Sequence, residues 1–209
     1  MKTKSNYVVQ VMTLLLGVLT LAVVSSCGEK QENGHGYVDL GLPSGTMWAT
    51  CNFGASNPKE YGKRLSWENI KKVKKPWGGK WRIPTKSEVE ELFNFCEAEK
   101  ETKGNVIGIS LKGPNGNSIF IPCAGYKLTK YEEYNMPEEE DVSGIGKYAI
   151  IWTGKQVDYT RHSTLYCGEL IIRDDGTISK TVHTADDRIA DTIYRHLNSL
   201  RFVFTQETK

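Results

Sequence analysis

Three rhythms of apolar and polar residues run along this chain: one nearly unbroken apolar run, one helical stripe, and several alternating stretches. The run comes first. Val8 to Val24 is mostly apolar, interrupted by Gln10, Thr13 and Thr20, with a basic start at Met1-Lys2-Thr3-Lys4 and small residues after it. Basic, apolar and small segments in that order make a secretory signal. A spanning helix needs about 20 predominantly apolar residues, and no basic stop-transfer flank follows. Residues 1–26 are therefore expected to be a signal peptide. Gly28 to Gly36 is polar, glycine-flanked and without apolar periodicity. It predicts a flexible tether, with His35 exposed in it, whose mean reach is roughly 15–20 Å.

Alternation begins at Tyr37-Val38-Asp39-Leu40 and predicts a strand, followed by a turn at Leu42-Pro43-Ser44-Gly45 and a second strand over Met47–Cys51. Residues 54–80 read as irregular, with the basic run Lys71-Lys72-Val73-Lys74-Lys75 as a solvated loop between Trp67 and Trp77. The helical stripe is Val89, Leu92, Phe93 and Cys96, at i, i+3, i+4 and i+7. Thr85 and Glu88 stand before it at capping-box spacing. Asn115-Gly116 between Ile107–Leu111 and Ile119–Ile121 predicts a hairpin. Gly125 to Lys147 reads as a long loop, with the charge run Glu138-Glu139-Glu140-Asp141 exposed. That run lacks the oxygen spacing and turn glycine of a calcium loop, so no metal site is expected. Tyr148–Thr153 and Leu165–Arg173 read as strands, the second turning through Asp174-Asp175-Gly176 into Thr177–Lys180. Asp187 to Leu197 has weak helical spacing, and Leu200–Phe204 is expected to be a closing strand. The pattern predicts one α+β domain over residues 37–204, with a tail at 205–209. It has mixed or antiparallel strands, one clear amphipathic helix and long loops.

Charge narrows the partners. Loss of residues 1–26 removes Lys2 and Lys4 and no acid, which turns 27 basic against 25 acidic residues into an even balance. A neutral chain has no global field for nucleic acid, so that partner is not expected. Five cysteines are present. Val24-Ser25-Ser26-Cys27 resembles the bacterial lipobox, in which the cysteine is acylated and becomes the first mature residue. Each buried methylene contributes about 0.8 kcal/mol of membrane affinity, so two or three chains anchor stably. That leaves Cys51, Cys96, Cys123 and Cys167 as disulfide candidates in a permissive compartment, with three pairings open. Their apolar and small neighbours suit buried free thiols equally well. None stands in a Cys-x-x-Cys motif, so zinc and thioredoxin-like chemistry are not expected, nor any cofactor.

Several motifs carry a wider resemblance. Tyr37-Val38-Asp39-Leu40-Gly41-Leu42-Pro43-Ser44-Gly45-Thr46-Met47-Trp48-Ala49-Thr50-Cys51-Asn52 resembles the opening of the Fibrobacter succinogenes major paralogous domain. So do Trp81-Arg82-Ile83-Pro84-Thr85 and Gly113-Pro114-Asn115-Gly116-Asn117-Ser118-Ile119-Phe120-Ile121-Pro122. Asn198-Ser199-Leu200-Arg201-Phe202-Val203 is similar to that family's Gly-x-Ser-Val-Arg-Pro-Val ending, with Asn198 in place of glycine and Phe202 in place of proline. The resemblance covers Tyr37 to Phe204. It implies a compact C-type-lectin-like domain, related to formylglycine-generating enzymes, whose terminal strands pair. It also implies a lipoprotein of the Gram-negative envelope. Trp48 and Trp81 suit a core, and Arg82 and Arg201 suit buried bidentate pairs with carboxylates such as Asp39.

Catalytic signatures are sparse. No Gly-x-Ser-x-Gly elbow occurs. Cys167 and His162, five residues apart, fall on opposite faces of an alternating strand. The paired C-terminal cysteines of formylglycine-generating enzymes and the Glu-Pro-Asn, Gln-Pro-Asp and Trp-Asn-Asp motifs of calcium-dependent lectins are missing from the sequence. The expected function is a non-catalytic, lipid-anchored outer-membrane binding protein, surface-exposed or periplasmic, with a protein or glycan ligand. Tyr159, Arg161, His162, Tyr166, His183, Arg188, Tyr194 and His196 are the candidate ligand-binding residues, being of types favoured at recognition surfaces. A structural accessory subunit of a surface appendage or envelope complex stands as the alternative. A cysteine-modifying enzyme centred on Cys167 stands behind both. Metabolic fatty-acid labelling is expected to mark the wild-type chain and to leave Cys27→Ser unmarked.

Overall fold

The computed structural model describes residues 30–73, 77–128, 142–154, 156–157, 163–185 and 196–206. The expected signal peptide, Cys27, the acidic run at 138–141 and the weakly helical stretch up to residue 195 lie outside them. The described residues form three sheets. The first has β1 (Gln31–Glu32), β2 (His35–Asp39), β3 (Thr46–Ala49) and β14 (Val203–Thr205) in that order. The second runs β10 (Gln156–Val157), β11 (Ser163–Ile172), β9 (Tyr148–Trp152), β13 (His196–Ser199) and β4 (Arg64–Leu65). To it are added β12 (Ile178–Ala185) on β11 and β8 (Lys127–Leu128) on β13. The third is β5 (Glu97–Lys103), β6 (Val106–Lys112) and β7 (Ser118–Pro122). Only β13 and β9 pair in parallel among these strands. Two helices, α1 (Trp67–Lys72) and α2 (Lys86–Phe95), complete a sheet-rich α+β architecture.

β9 explains the packing. Tyr148-Ala149-Ile150-Ile151-Trp152 is apolar throughout, as a strand covered on both faces must be. Ala149 and Ile151 join one cluster with Leu92 and Phe93 of α2, Ile109 and Leu111 of β6, and Leu170 of β11. Ile150 and Trp152 point the other way, into a second cluster with Trp81, Leu200, Phe202 and Phe204. β3 divides in the same manner, with Trp48 in the first cluster and Met47 and Ala49 in the second. The closing strand pairs with β3 at Val203↔Trp48, which brings the two ends of the domain into one sheet.

α2 forms as its sequence predicts. Thr85 Oγ1 accepts from the Glu88 amide at 3.2 Å, and the Glu88 carboxylate accepts from the Thr85 amide at 2.8 Å. The same carboxylate receives Arg82 in a bidentate pair of 2.7 and 2.6 Å, and the Thr46 hydroxyl at 3.0 Å. The partner expected for Arg82 is therefore Glu88 rather than Asp39, because Asp39 Oδ1 accepts the Gly41 amide in its own turn. Backbone bonds of 2.9 Å in both directions join Arg82 to Val203, so one carboxylate links the helix cap, β3 and the closing strand.

The Gly-Pro-Asn-Gly-Asn turn is a clamp. Asn115 Nδ2 and Asn117 Nδ2 both donate to the Asp39 carbonyl, at 2.9 and 2.8 Å. Gly113 lies so close to Leu40 that a Cβ there would stand 2.1 Å from the Leu40 carbonyl oxygen. Two of the motifs noted in the sequence meet at this point, and the contact is architectural.

Two expectations change, and one strand had no signal in the sequence. Most of the stretch expected to be a flexible tether is instead ordered, because Gln31 to Asp39 is the β1–β2 hairpin, turning through Asn33 (φ 49) and Gly34 (φ 80). Asn-Gly supplies the positive φ values that a two-residue hairpin requires. Residues 54–80 contain β4 and α1, so the basic run begins within a helix. β5 pairs with β6 along its whole length although Glu97-Ala98-Glu99-Lys100-Glu101-Thr102-Lys103 shows no apolar alternation. Charged side chains on such an edge discourage pairing with other chains.

The Glu88 pair gives a stability test. Burial pushes its carboxyl up, but Arg82, the Thr85 amide and Thr46 together outweigh that and hold it below the ordinary glutamate value. A depressed carboxyl contributes stability above its unfolded value and loses it as pH falls through the folded one. Glu88→Gln is expected to cost about 2 kcal/mol at pH 7, less than a fully buried pair because Arg82 is partly solvated. Urea midpoints measured from pH 7 down to pH 3 should converge for the two proteins.

Candidate functional site

The described members of the predicted ligand-binding set do not form one cluster. Cys167 and His183 stand opposite each other in the β11–β12 register, so both side chains project from the same face of the sheet. There His183 Nε2 lies 2.8 Å from Glu169 Oε2. Tyr166, one residue earlier, projects from the other face, with the Lys86 ammonium 4.8 Å from its ring centre. The backbone of His196 belongs to β13. Tyr159, Arg161, His162, Arg188 and Tyr194 lie outside the described residues.

The four cysteines are free thiols. Cys96, Cys123 and Cys167 are buried, and burial pushes them up to about 11, 12 and 12. A thiol so shifted is protonated at neutral pH and is a poor nucleophile. The carboxylate–imidazole–thiol row of Glu169, His183 and Cys167 therefore has its thiol held in the unreactive form. Among the described residues no group of three or more His, Cys, Asp or Glu is placed to hold a metal ion.

A built concavity lies elsewhere. A cavity of about 470 Å³ opens where the β1–β2 hairpin meets the loop after β3, with Gln31, His35, Thr50, Cys51, Asn57 and Trp77 among its walls. Its size is that of a small-molecule cleft. One wall is aromatic. The His35 ring stacks on Trp77 at 3.9 Å and 9° between planes. Trp77 packs edge-on against Trp81 and Phe202, and Phe202 against Phe53. Burial holds the His35 imidazole below the ordinary histidine value. His35 is thus a docked wall residue, not an exposed side chain in a tether. The Asn33 side chain donates to the Trp77 carbonyl, and Trp81 Nε1 donates to the Glu32 carbonyl at 2.8 Å, which seats the hairpin.

The opposite lip is fixed by Glu60. Its carboxylate accepts from the Ser56 amide at 2.8 Å and from Asn57 Nδ2 at 2.6 Å. These bonds hold the carboxyl below its ordinary value.

Behind Thr50 of the cavity wall lies Arg201, fully buried and without the expected carboxylate partner among the described residues. Nε donates to Asn52 Oδ1 at 3.0 Å, and Nη1 to the carbonyls of Ala49 and Thr50 at 3.3 Å each. Nη2 has no partner among the described residues. Burial lowers the guanidinium to about 10, with the neighbouring Cys51 raising it, so it stays charged at neutral pH.

A second, shallower concavity of about 450 Å³ lies at Phe95, Glu97, Lys112 and the 113–116 turn. Its asparagine is already committed to the Asp39 clamp.

Sequence reading missed the cavity because its walls come from residues far apart in the chain. Asn33-Gly34 was the local signal of a hairpin, hidden within a polar stretch. Comparison of the chain with protein-family models, with curated proteins and with solved structures finds no match.

Arg201→Ala would leave three acceptors unsatisfied and a void under the cavity. A loss of about 3–5 kcal/mol is expected, read as a lower urea midpoint.

Proposed function

We propose that this chain is a lipid-anchored binding protein of the Gram-negative cell envelope, acting without catalysis and taking a protein or glycan ligand. The observation that carries this reading is the position of the β1–β2 hairpin. It forms a wall of the larger cavity and begins four residues after Cys27. Four residues span at most about 14 Å. An acylated Cys27 would therefore hold the cavity end of the domain at the membrane, with the site built into the anchored end rather than hung from a long tether.

Three further points support the reading. The resemblance to the Fibrobacter succinogenes major paralogous domain brings with it envelope lipoproteins and a C-type-lectin-like fold. The motifs behind that resemblance are absorbed by architecture, in the Asp39 clamp and the Glu88 pair, and leave the cavity as the place free for recognition. Gln31, Thr50, Ser56 and Asn57 supply polar groups around it, beside an aromatic wall. A few placed polar groups on an aromatic surface suit an uncharged polar ligand such as a glycan or a peptide loop.

A glycan array and a pull-down from solubilised envelopes, both with the full chain, test this. A ligand is expected whose binding falls at least tenfold in Gln31→Lys, which places a bulkier charged chain on the cavity wall. Two blank screens would overturn the reading.

A further inference from the structure

The even charge balance of the chain after residue 26 is unevenly spread. Cys27 to Trp81 carry nine basic residues against five acidic ones, and Arg82 to Lys209 carry sixteen against twenty. The basic part is also the part that builds the cavity end. Lys30, Lys59, Lys63, Lys72 and Lys80 are all exposed. None of the five is ion-paired among the described residues, whereas Lys86, Lys103 and Lys147 elsewhere each meet a carboxylate.

Each of the five stands on an element that packs at the cavity end. Lys30 opens the β1–β2 hairpin, its carbonyl accepting the Tyr37 amide at 2.8 Å. The turn before Lys80 presses on that hairpin, since a Cβ on Gly79 would stand 2.9 Å from Glu32 Oε1. Lys59 follows Pro58 of the cavity wall. The Lys63 amide donates to the Phe53 carbonyl at 2.8 Å, and its ammonium lies 5.8 Å from the Phe53 ring centre. Lys72 belongs to α1, whose Ile70 shares a core cluster with Trp77. The described acids on these segments are Glu32, Asp39 and Glu60. Asp39 accepts the Gly41 amide, and the Glu60 carboxylate is occupied by Ser56 and Asn57.

We propose that these five lysines form a docking face for the surface of an anionic phospholipid bilayer and set which way the anchored domain stands. The inference rests on the anchoring at Cys27 in the reading above. Lys30 is the third residue after Cys27, a reach of at most about 11 Å. The field of an anionic leaflet extends roughly 8 Å into physiological salt. A lysine inside that layer strengthens the contact about fivefold. The part from Arg82 onward, with its acidic excess, is repelled by the same surface, so separation of charge orients a chain that has no net charge. A soluble polyanion would meet the same lysines, but only a membrane is brought to them by the anchor.

The test uses the full chain as purified from membranes, reconstituted on vesicles of phosphatidylcholine alone or mixed with phosphatidylglycerol. Lysines are acetylated by a water-soluble reagent and read by peptide mass. On the anionic vesicles at low salt, Lys30, Lys59, Lys63, Lys72 and Lys80 are expected to label at least threefold more slowly than on neutral ones. Molar salt should abolish the difference. Lys100 and Lys112, exposed on the third sheet, should label alike on both. Lys72→Glu combined with Lys80→Glu should return Lys30 on anionic vesicles to within twofold of its neutral rate, and an unchanged urea midpoint reports that this variant is folded. Equal labelling of the five on the two vesicles, equal slowing of Lys100 and Lys112, or protection that survives molar salt would overturn the proposal. So would slowing by soluble heparin with none by anionic vesicles. Flotation on neutral vesicles reads the anchor separately. A chain that fails to float there loses the anchor, and labelling on anionic vesicles still decides the docking face.

Discussion

A buried cation held by neutral oxygens, Arg201, sits where the last turn of the described chain passes the first strands. Its guanidinium is bound by Asn52 and by the carbonyls of Ala49 and Thr50, all on the segment that leaves β3. Backbone bonds run alongside it, from the Ala49 amide to the Phe202 carbonyl and from the Phe53 amide to the Leu200 carbonyl. Residues 200–202 carry the chain from β13 in the second sheet to β14 in the first. The guanidinium therefore fixes the angle at which two sheets join. An unpaired buried charge is costly, and several charge-assisted hydrogen bonds to one short segment are what offset it. A lysine is a poor substitute, since its compact ammonium lacks the planar fork whose separate nitrogens reach the Asn52 oxygen on one side and the two carbonyls on another.

The remaining structure follows from that joint. With β14 placed beside β3, Trp48 and Val203 face the α2 cluster while Met47 and Phe204 face the aromatic one. Phe202 fills the space between Phe53 and Trp77, and Trp77 in turn receives the His35 ring. A proline at that position would offer no aromatic ring for Trp77 to meet edge-on. The aromatic column from Phe53 to His35 thus transmits the order of the core to the cavity wall. Cys51 owes its place to the same contact, being held between the two carbonyls and the amide oxygen that bind Arg201.

How much of this could be read in the sequence depends on whether a contact is local. α2 was legible to its cap, because Thr85, Glu88 and the stripe from Val89 to Cys96 all speak within twelve residues. The β6–β7 and β11–β12 hairpins were legible through their turn residues. β5 was not, because its side chains are charged and its stability comes from backbone pairing and the packing of Ala98. β1 and the start of β2 at His35 were missed for a related reason, although Tyr37–Asp39 read as a strand. Glu32 and Asn33 are held by Trp81 and Trp77, 49 and 44 residues away, which no local pattern encodes. The same holds for the site, where Asn52 meets Arg201 across 149 residues. An arginine in that position suggested a buried carboxylate pair. A carbonyl cage is an equally sound way to bury a guanidinium, and composition does not distinguish the two.

The hairpin changes what an anchor at Cys27 would do. A nine-residue flexible tether would let the domain tumble at a mean distance of roughly 15–20 Å from the bilayer, with every face presented in turn. Four residues leave at most about 14 Å of chain, and they lead into a strand pinned by two tryptophans. Under the proposed anchoring, the domain therefore keeps one end toward the membrane. That end carries the cavity and Cys51, while α2 and the third sheet belong to the other core cluster. A ligand would then have to approach along the membrane surface rather than from open solution. Such geometry favours envelope-bound partners over freely diffusing macromolecules. The approach to the cavity would thus be set by the length of a segment too short to let the domain turn freely.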